Sequence, residues 1–273
     1  MIKIAHESPV YLFGKVQQVT DYDYFLVHLL EEVPAYVRCY ERSKILHRET
    51  ILDNSIFELG TAFDMNKFAE SVIRFQPTWY IVPDVLEDAQ GTVDNMREWN
   101  DKFSGKVPGK KIGVVQGRSY SELTDCYDYM VNFAKVDMVA ISFDYSYYEY
   151  SVPHPNKYVS WMLGRIQLLS RMVRDNVIMP EVPMHLLGCA LPQEFSFYKE
   201  YDWIYSLDTS NPVVHGLKKI EYTSTGLWGK ESQKLCDLIE FIPDQEAEFI
   251  TIENISKFRN LVHRTENEPI FTL

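Results

Sequence analysis

Short apolar runs of strand length recur along the chain, and each stops on a polar side chain at a turn. Trp203-Ile204-Tyr205-Ser206-Leu207 ends on Asp208 before Thr209-Ser210-Asn211-Pro212, and Thr50-Ile51-Leu52 ends on Asp53. Trp79-Tyr80-Ile81-Val82 ends on Pro83-Asp84, and Ile112-Gly113-Val114-Val115 on Gln116-Gly117. A run of this kind reads as a buried strand that delivers its polar residue to a rim. Several such rims converging would make a site.

Between the runs lie segments with apolar residues three or four apart, which predict helices. Phe63 to Phe75 carries Phe63, Phe68, Val72 and Phe75 on one face, closed by Pro77. Asp88 to Phe103 and the stretch from Asn156 through Val173 read likewise, and Ser119 with Glu122 forms a capping box for a helix through Phe133. Tyr22 to Tyr40 has helical spacing at Phe25, Leu29, Leu30 and Val33, with Pro34 set to end or bend it. Strand candidates begin at Ile2, Thr50, Trp79, Ile112, Met138, Met184 and Trp203; the tail must supply an eighth, and Phe249-Ile250-Thr251-Ile252 is the candidate. Strands poor in polar residues that alternate with helices imply a parallel sheet covered by helices. With no glycine-rich dinucleotide fingerprint or P-loop, the expected fold is α/β, a single (β/α)8 TIM-like barrel, irregular in places.

At 273 residues and 46% hydrophobic content the chain suits one barrel domain, and no linker or repeat divides it. Nowhere do about 18 uncharged apolar residues run together, so no membrane partner is expected. Cys39, Cys126, Cys189 and Cys236 lie far apart with no zinc spacing, which suits a reducing, cytoplasmic setting. The net charge of −12 argues against a general nucleic-acid coat but leaves room for a local basic groove. Arg38, Arg42, Lys44 and Arg48 form one basic group, and Arg165, Arg171 and Arg174 another; solvated helix faces account for either equally well.

In a barrel, Asp53, Asp84, Gln116, the Phe143-Asp144 turn, Gly188 and Asp208 face one pocket. Carboxylates gathered there can bind a metal, act as nucleophile and acid on a glycosidic carbon, or cap helices. The imidazole pairs of barrel metallohydrolases are missing, so neither metal nor other cofactor is expected. An Asp that accepts beside a Gln that donates and accepts can read the edge of a purine-like base. The aromatic loop after Phe143, with Tyr145, Tyr147, Tyr148 and Tyr150, either stacks on a base or packs the barrel mouth. His185 reads as a packed core residue, and His154 lies in a loop.

Leu52-Asp53-Asn54-Ser55-x-Phe57-Glu58, Pro83-Asp84-Val85, Gly113-Val114-Val115-Gln116-Gly117, His185-Leu186-Leu187-Gly188 and Leu207-Asp208-Thr209 occur in this order. Together they resemble the tRNA-guanine transglycosylase superfamily, and most of all its short zinc-free members from phages and bacterial DNA-modification clusters, which exchange guanine in DNA for a 7-deazaguanine. The resemblance spans about residues 50–216 and leaves 217–273 as a helical or irregular extension. It implies that Asp208 is the nucleophile at C1′ and Asp53 the general acid/base. Asp84 and Gln116 would bind the departing guanine and the incoming free 7-deazaguanine, with Ser142, Phe143 and Gly188 completing the pocket. It also implies the cytoplasm, or a host's cytoplasm for a phage-encoded chain.

The chain departs from the family pattern in three places. The double glycine after the first Asp is replaced by Asn54-Ser55-Ile56, and the G-G-L-A-V-G-E segment by Ala140-Ile141-Ser142-Phe143-Asp144-Tyr145. The C-terminal zinc subdomain, which helps hold RNA in the tRNA enzymes, is missing. DNA is therefore expected as the polymer before tRNA, with a partner protein or a homo-oligomer available to supply the grip that an acidic chain lacks. A glycoside or nucleoside hydrolase and a non-catalytic binding subunit are the rival expectations.

Overall fold

The computed structural model describes residues 1–231 and 233–263. Eight strands run parallel: β1 (Lys3–His6), β2 (Asp23–Leu26), β3 (Thr50–Asp53), β4 (Trp79–Ile81), β5 (Lys110–Val115), β6 (Met138–Ser142), β7 (Met184–Leu187) and β8 (Ile204–Thr209). Their order is β1-β8-β7-β6-β5-β4-β3-β2, so each strand from β2 onward pairs with its sequence neighbour and β8 returns to β1. This is a (β/α)8 TIM-like barrel, nearly closed, with helices between the strands. Following β1 come α1 (Val10–Val16), then α2 (Val27–Glu32) and α3 (Pro34–Ile45) after β2, and α4 (Ile56–Leu59) and α5 (Met65–Phe75) after β3. Next are α6 (Ala89–Phe103), α7 (Tyr120–Asp128), α8 (Ser146–Ser151), α9 (Lys157–Arg174), α10 (Asn211–Leu217) and α11 (Gln245–His263).

The helix starts follow from local chemistry. Asp64, Asp88, Ser119 and Asn156 each accept a backbone N–H of the first turn of α5, α6, α7 and α9, meeting donors that a helix leaves unpaired. Ser119 Oγ accepts from Glu122 N at 3.2 Å, while the Glu122 carboxylate reaches one residue further back than a capping box requires, to Arg118 N. Pro34 occupies the first turn of α3 and separates it from α2, as the missing N–H demands.

Two sequence expectations are corrected. The eighth strand is β2, within the segment read as helical: Asp23–Leu26 runs directly into α2, so strand and helix together mimic one helical stripe. Phe249-Ile250-Thr251-Ile252 is not a strand; it lies in α11, which buries Ala247, Ile250, Thr251, Asn254, Ile255, Phe258, Leu261 and Val262. That spacing of three and four is the helical one, and tertiary packing overrides the β-branched composition. Among the described residues no helix is long and apolar enough to cross a membrane.

The seam between β1 and β2 carries no ladder pairing and is stitched instead by Thr20 and Asp21. Asp21 N donates to Ile4 O (2.9 Å) and its carboxylate accepts from Ile4 N (2.8 Å). The Thr20 hydroxyl donates to Ile4 O (2.8 Å) and accepts from His6 N (3.0 Å). These bonds satisfy strand-edge groups that would otherwise be buried unpaired. Arg259 of α11 grips the same Asp21 through Nη1 and Nη2, at 3.0 and 2.8 Å, so the C-terminal helix clamps the seam from outside. Thr20→Val keeps the shape and removes both hydroxyl bonds, which should cost about 1–3 kcal/mol of unfolding free energy by denaturant titration; an unchanged value would mean that the seam does not depend on Thr20.

Candidate active site

All seven residues singled out in the sequence line one cavity at the C-terminal mouth of the barrel: Asp53, Asp84, Gln116, Ser142, Phe143, Gly188 and Asp208. The cavity and its opening to solvent together span about 730 Å3. Glu7, Tyr24, Glu58 and Lys230 line it as well, and these the sequence reading did not assign to a site.

Asp208 lies inside β8 rather than beyond its end. Its Oδ1 accepts from Gly188 N (3.1 Å) and is 3.0 Å from His185 Nε2. Since Oδ1 is an acceptor, Nε2 is the nitrogen that carries the proton between them, and Nδ1 lies within hydrogen-bond distance of Ser206 Oγ, at 2.9 Å. His185 and Ser206 are register partners on β7 and β8. A column of Ser206, His185 and Asp208 thus stands in the barrel interior, where apolar packing is the rule. His185 is buried as expected, but it also orients Asp208. Both donors fall on one oxygen, and Oδ2 makes no hydrogen bond among the described residues.

Asp53 closes β3. Its Oδ1 accepts from Ser55 N (2.7 Å), and Tyr24 OH donates to its Oδ2. Burial, with Glu58 nearby, raises its pKa to about 8 despite those donors, so it keeps its proton at neutral pH. Glu58 is pushed up to about 7, chiefly by burial. Glu7, at the end of β1, is held well above the carboxylate range by burial and then by Asp208, Glu58 and Asp53. The loop after Asp53 makes a tight turn without glycine. Ser55 takes the left-handed conformation that glycine favours, with φ 63°. Asx turns hold it there, because Asn54 Oδ1 accepts from Ile56 N (2.9 Å) just as Asp53 accepts from Ser55 N.

Asn54 also reaches across the cavity wall. Its Nδ2 donates to Val82 O (3.1 Å) and to Asp84 Oδ1 (2.8 Å), and Gln116 Nε2 donates to Asp84 Oδ2 (2.6 Å). Gln116 Oε1 accepts from Glu87 N (2.8 Å). Asp84 and Gln116 are therefore locked to one another. Spare lone pairs on Asp84 and one remaining Gln116 N–H are left to a ligand. Burial raises the Asp84 pKa against both amide donors.

The aromatic loop divides. Phe143 lines the cavity, packed edge-on to Trp161 at a 5.6 Å ring separation, with Lys230 Nζ 3.6 Å from its ring centroid. Tyr145 and Tyr148 are buried and donate to Val115 O and Ser142 O, while Tyr150 is exposed. Tyr145 and Tyr148 therefore pack the mouth. Tyr145 OH also accepts from Ser142 N (3.1 Å), so the Ser142 backbone is already engaged, and Gly188 N is committed to Asp208. Gly188 has φ 63°, and a Cβ there would stand 2.4 Å from Phe143 Cδ1, so both backbone and space require glycine. His154 is exposed and does not line the cavity.

The extension after the barrel reaches the site. Lys230 Nζ donates to Cys189 O (3.0 Å), and burial holds its ammonium below the usual lysine value. Lys234 Nζ donates to Phe57 O (2.9 Å) and Glu58 O (3.1 Å), tying down α4. No three His, Cys, Asp or Glu side chains among the described residues group in a way that would hold a metal ion. The chain matches no protein-family model, and no curated protein matches it in sequence.

The raised carboxyls set a stability gradient. Asp53 titrates near 3.8 unfolded and near 8 folded, so between those values the native state binds more protons and stability falls as pH rises. Asp53→Asn should therefore raise Tm relative to the parent at pH 9 and change it much less at pH 4. An equal difference at both values would contradict the assignment of a retained proton to Asp53.

Proposed function

We propose that the chain is a base-exchange glycosyltransferase that replaces guanine in DNA with a 7-deazaguanine through a covalent sugar–Asp208 intermediate. The observation that supports it most is the division of one cavity into two chemistries. On one side a carboxylate is held by one oxygen, with the other unbonded among the described residues, next to a carboxyl that keeps its proton. On the other is an Asp–amide pair with base-reading valences.

In the first half-reaction Asp208 Oδ2 attacks C1′ and the C1′–N9 bond breaks. Its electron pair leaves with guanine, which takes a proton from Asp53 and departs neutral. Asp84 accepts from the N1–H and exocyclic amine of the base, while the free Gln116 N–H reaches O6. In the second half-reaction Asp53, now ionised, recovers a proton from N9–H of the incoming 7-deazaguanine. N9 attacks C1′ from the face that guanine left and releases Asp208. Carbon replaces N7 in the new base, away from the edge that Asp84 and Gln116 read, so one pocket serves both.

Phe57 and Leu86 line the cavity and stay about 40% exposed, apolar surface at the rim for a nucleotide flipped out of its stack. The preference for DNA over tRNA rests on the motif resemblance. The net charge of −12 makes a partner protein or a second copy the natural source of polymer affinity.

Purified protein incubated with guanine-labelled DNA, or with tRNA, and candidate 7-deazaguanines should release guanine and incorporate the analogue in DNA alone. Asp208→Asn should lower exchange by several orders of magnitude while leaving the fold intact. Guanine release without incorporation would identify a hydrolase, and full exchange by the Asp208→Asn variant would remove Asp208 from the mechanism. The reaction needs Asp53 protonated in the free protein, so kcat/KM should fall as pH rises through about 8; a flat profile from pH 6 to 10 would contradict that role.

A further inference from the structure

Arg165 sits midway along α9, on the outside of the barrel, and is completely buried. The sequence groups it with Arg171 and Arg174, but it belongs to no surface patch. Its Nε and Nη2 grip Glu194 at 2.6 and 3.0 Å, Nη2 also donates to Gly188 O (3.0 Å), and Nη1 donates to Leu187 O (3.0 Å) and Ile141 O (3.4 Å). A guanidinium carries five N–H bonds, so every donor has an acceptor. Tyr198 OH donates to Glu194 Oε1 at 2.5 Å, completing the cluster.

A buried ion pair is weak evidence for stability, since apolar side chains of similar volume often serve as well. This one has a directional consequence. Leu187 O and Gly188 N belong to one trans peptide, in which C=O and N–H point in opposite directions. Arg165 holds the carbonyl from outside the barrel, and the N–H therefore points inward, at Asp208 Oδ1. A peptide that ends in glycine rotates with little steric resistance, so its orientation needs a clamp. We propose that Arg165 is a positioning residue for Asp208: it sets the plane of the Leu187–Gly188 peptide, and so keeps Oδ1 against the barrel wall and Oδ2 facing the cavity. Lysine would supply the charge without the planar fork.

The proposal rests on reading Asp208 as the reactive carboxylate, and its test is independent of substrate. Backbone amide NMR of the whole protein should show the Gly188 proton shifted downfield by its carboxylate partner and slow to exchange. In Arg165→Lys that proton should move upfield and exchange at least about 10-fold faster, with the Val114 and Val115 amides of β5 unchanged. Base exchange, where it occurs, should lose about 10- to 100-fold in kcat with KM nearly constant, as misplacement of a reacting group does. Should Arg165→Lys fail to fold, the paired change Arg165→Met with Glu194→Met removes both charges together and is read in the same way. A Gly188 amide that keeps its shift and protection in the folded variant, or that loses protection only in step with Val114 and Val115, overturns the proposal. A parent protein with no base exchange would sink the functional reading and leave the amide result to decide this one.

Discussion

A carboxyl group removed from water either finds donors for its charge or keeps its proton, and the mouth of this barrel uses both solutions a few side chains apart. Asp208 receives the Gly188 N–H and His185 on a single oxygen; Asp84 receives an amide on each. Asp53, Glu58 and Glu7 are pushed upward chiefly by burial, and Asp84 too is raised by burial against its two amides. Environments that separate the proton affinities of neighbouring acids are how one site comes to hold an acid and a base together. In the proposed reaction the raised Asp53 carboxyl carries the proton, and Asp208, held through one oxygen, makes the attack.

Holding such a cluster takes a rigid wall, and distant parts of the chain supply it. Arg165 on α9 gathers carbonyls from the ends of β6 and β7. Arg259 on α11 closes the seam beside β1, whose end carries Glu7. Lys230 and Lys234 bring positive charge from the segment beyond the barrel, one onto Phe143 and Cys189 O, the other onto the backbone of α4. Sequence distance is no guide here, because the barrel closes on itself and brings residue 7 and residue 230 to one cavity.

Much of this was legible in the chain. Asp53, Asp84, Gln116 and Asp208 announce themselves because an apolar run that stops on a polar residue has a definite meaning in a parallel barrel. The Ser119 cap was readable for a similar reason: the capping side chain is local to what it caps. β2 was not, because a four-residue strand that passes into a helix without a turn leaves no period of its own. His185 looked like core and is core; its partnership with Asp208 depends on strand register, which single-strand patterns do not encode. Lys230 lies in a stretch without periodicity, and only the folded chain reveals its destination. Ser55 in a glycine conformation is a further case: nothing in its residue type signals a positive φ, and local Asx turns hold it there.

The proposed reaction requires Asp208 to become covalently attached to the sugar. Protein mixed with guanine-containing DNA, without an acceptor base, can be quenched in denaturant, digested and examined by mass spectrometry. The account predicts a sugar-linked adduct on Asp208, with one guanine released per adduct formed. Guanine release with Asp208 unmodified, an adduct on another carboxylate, or neither release nor adduct would contradict it.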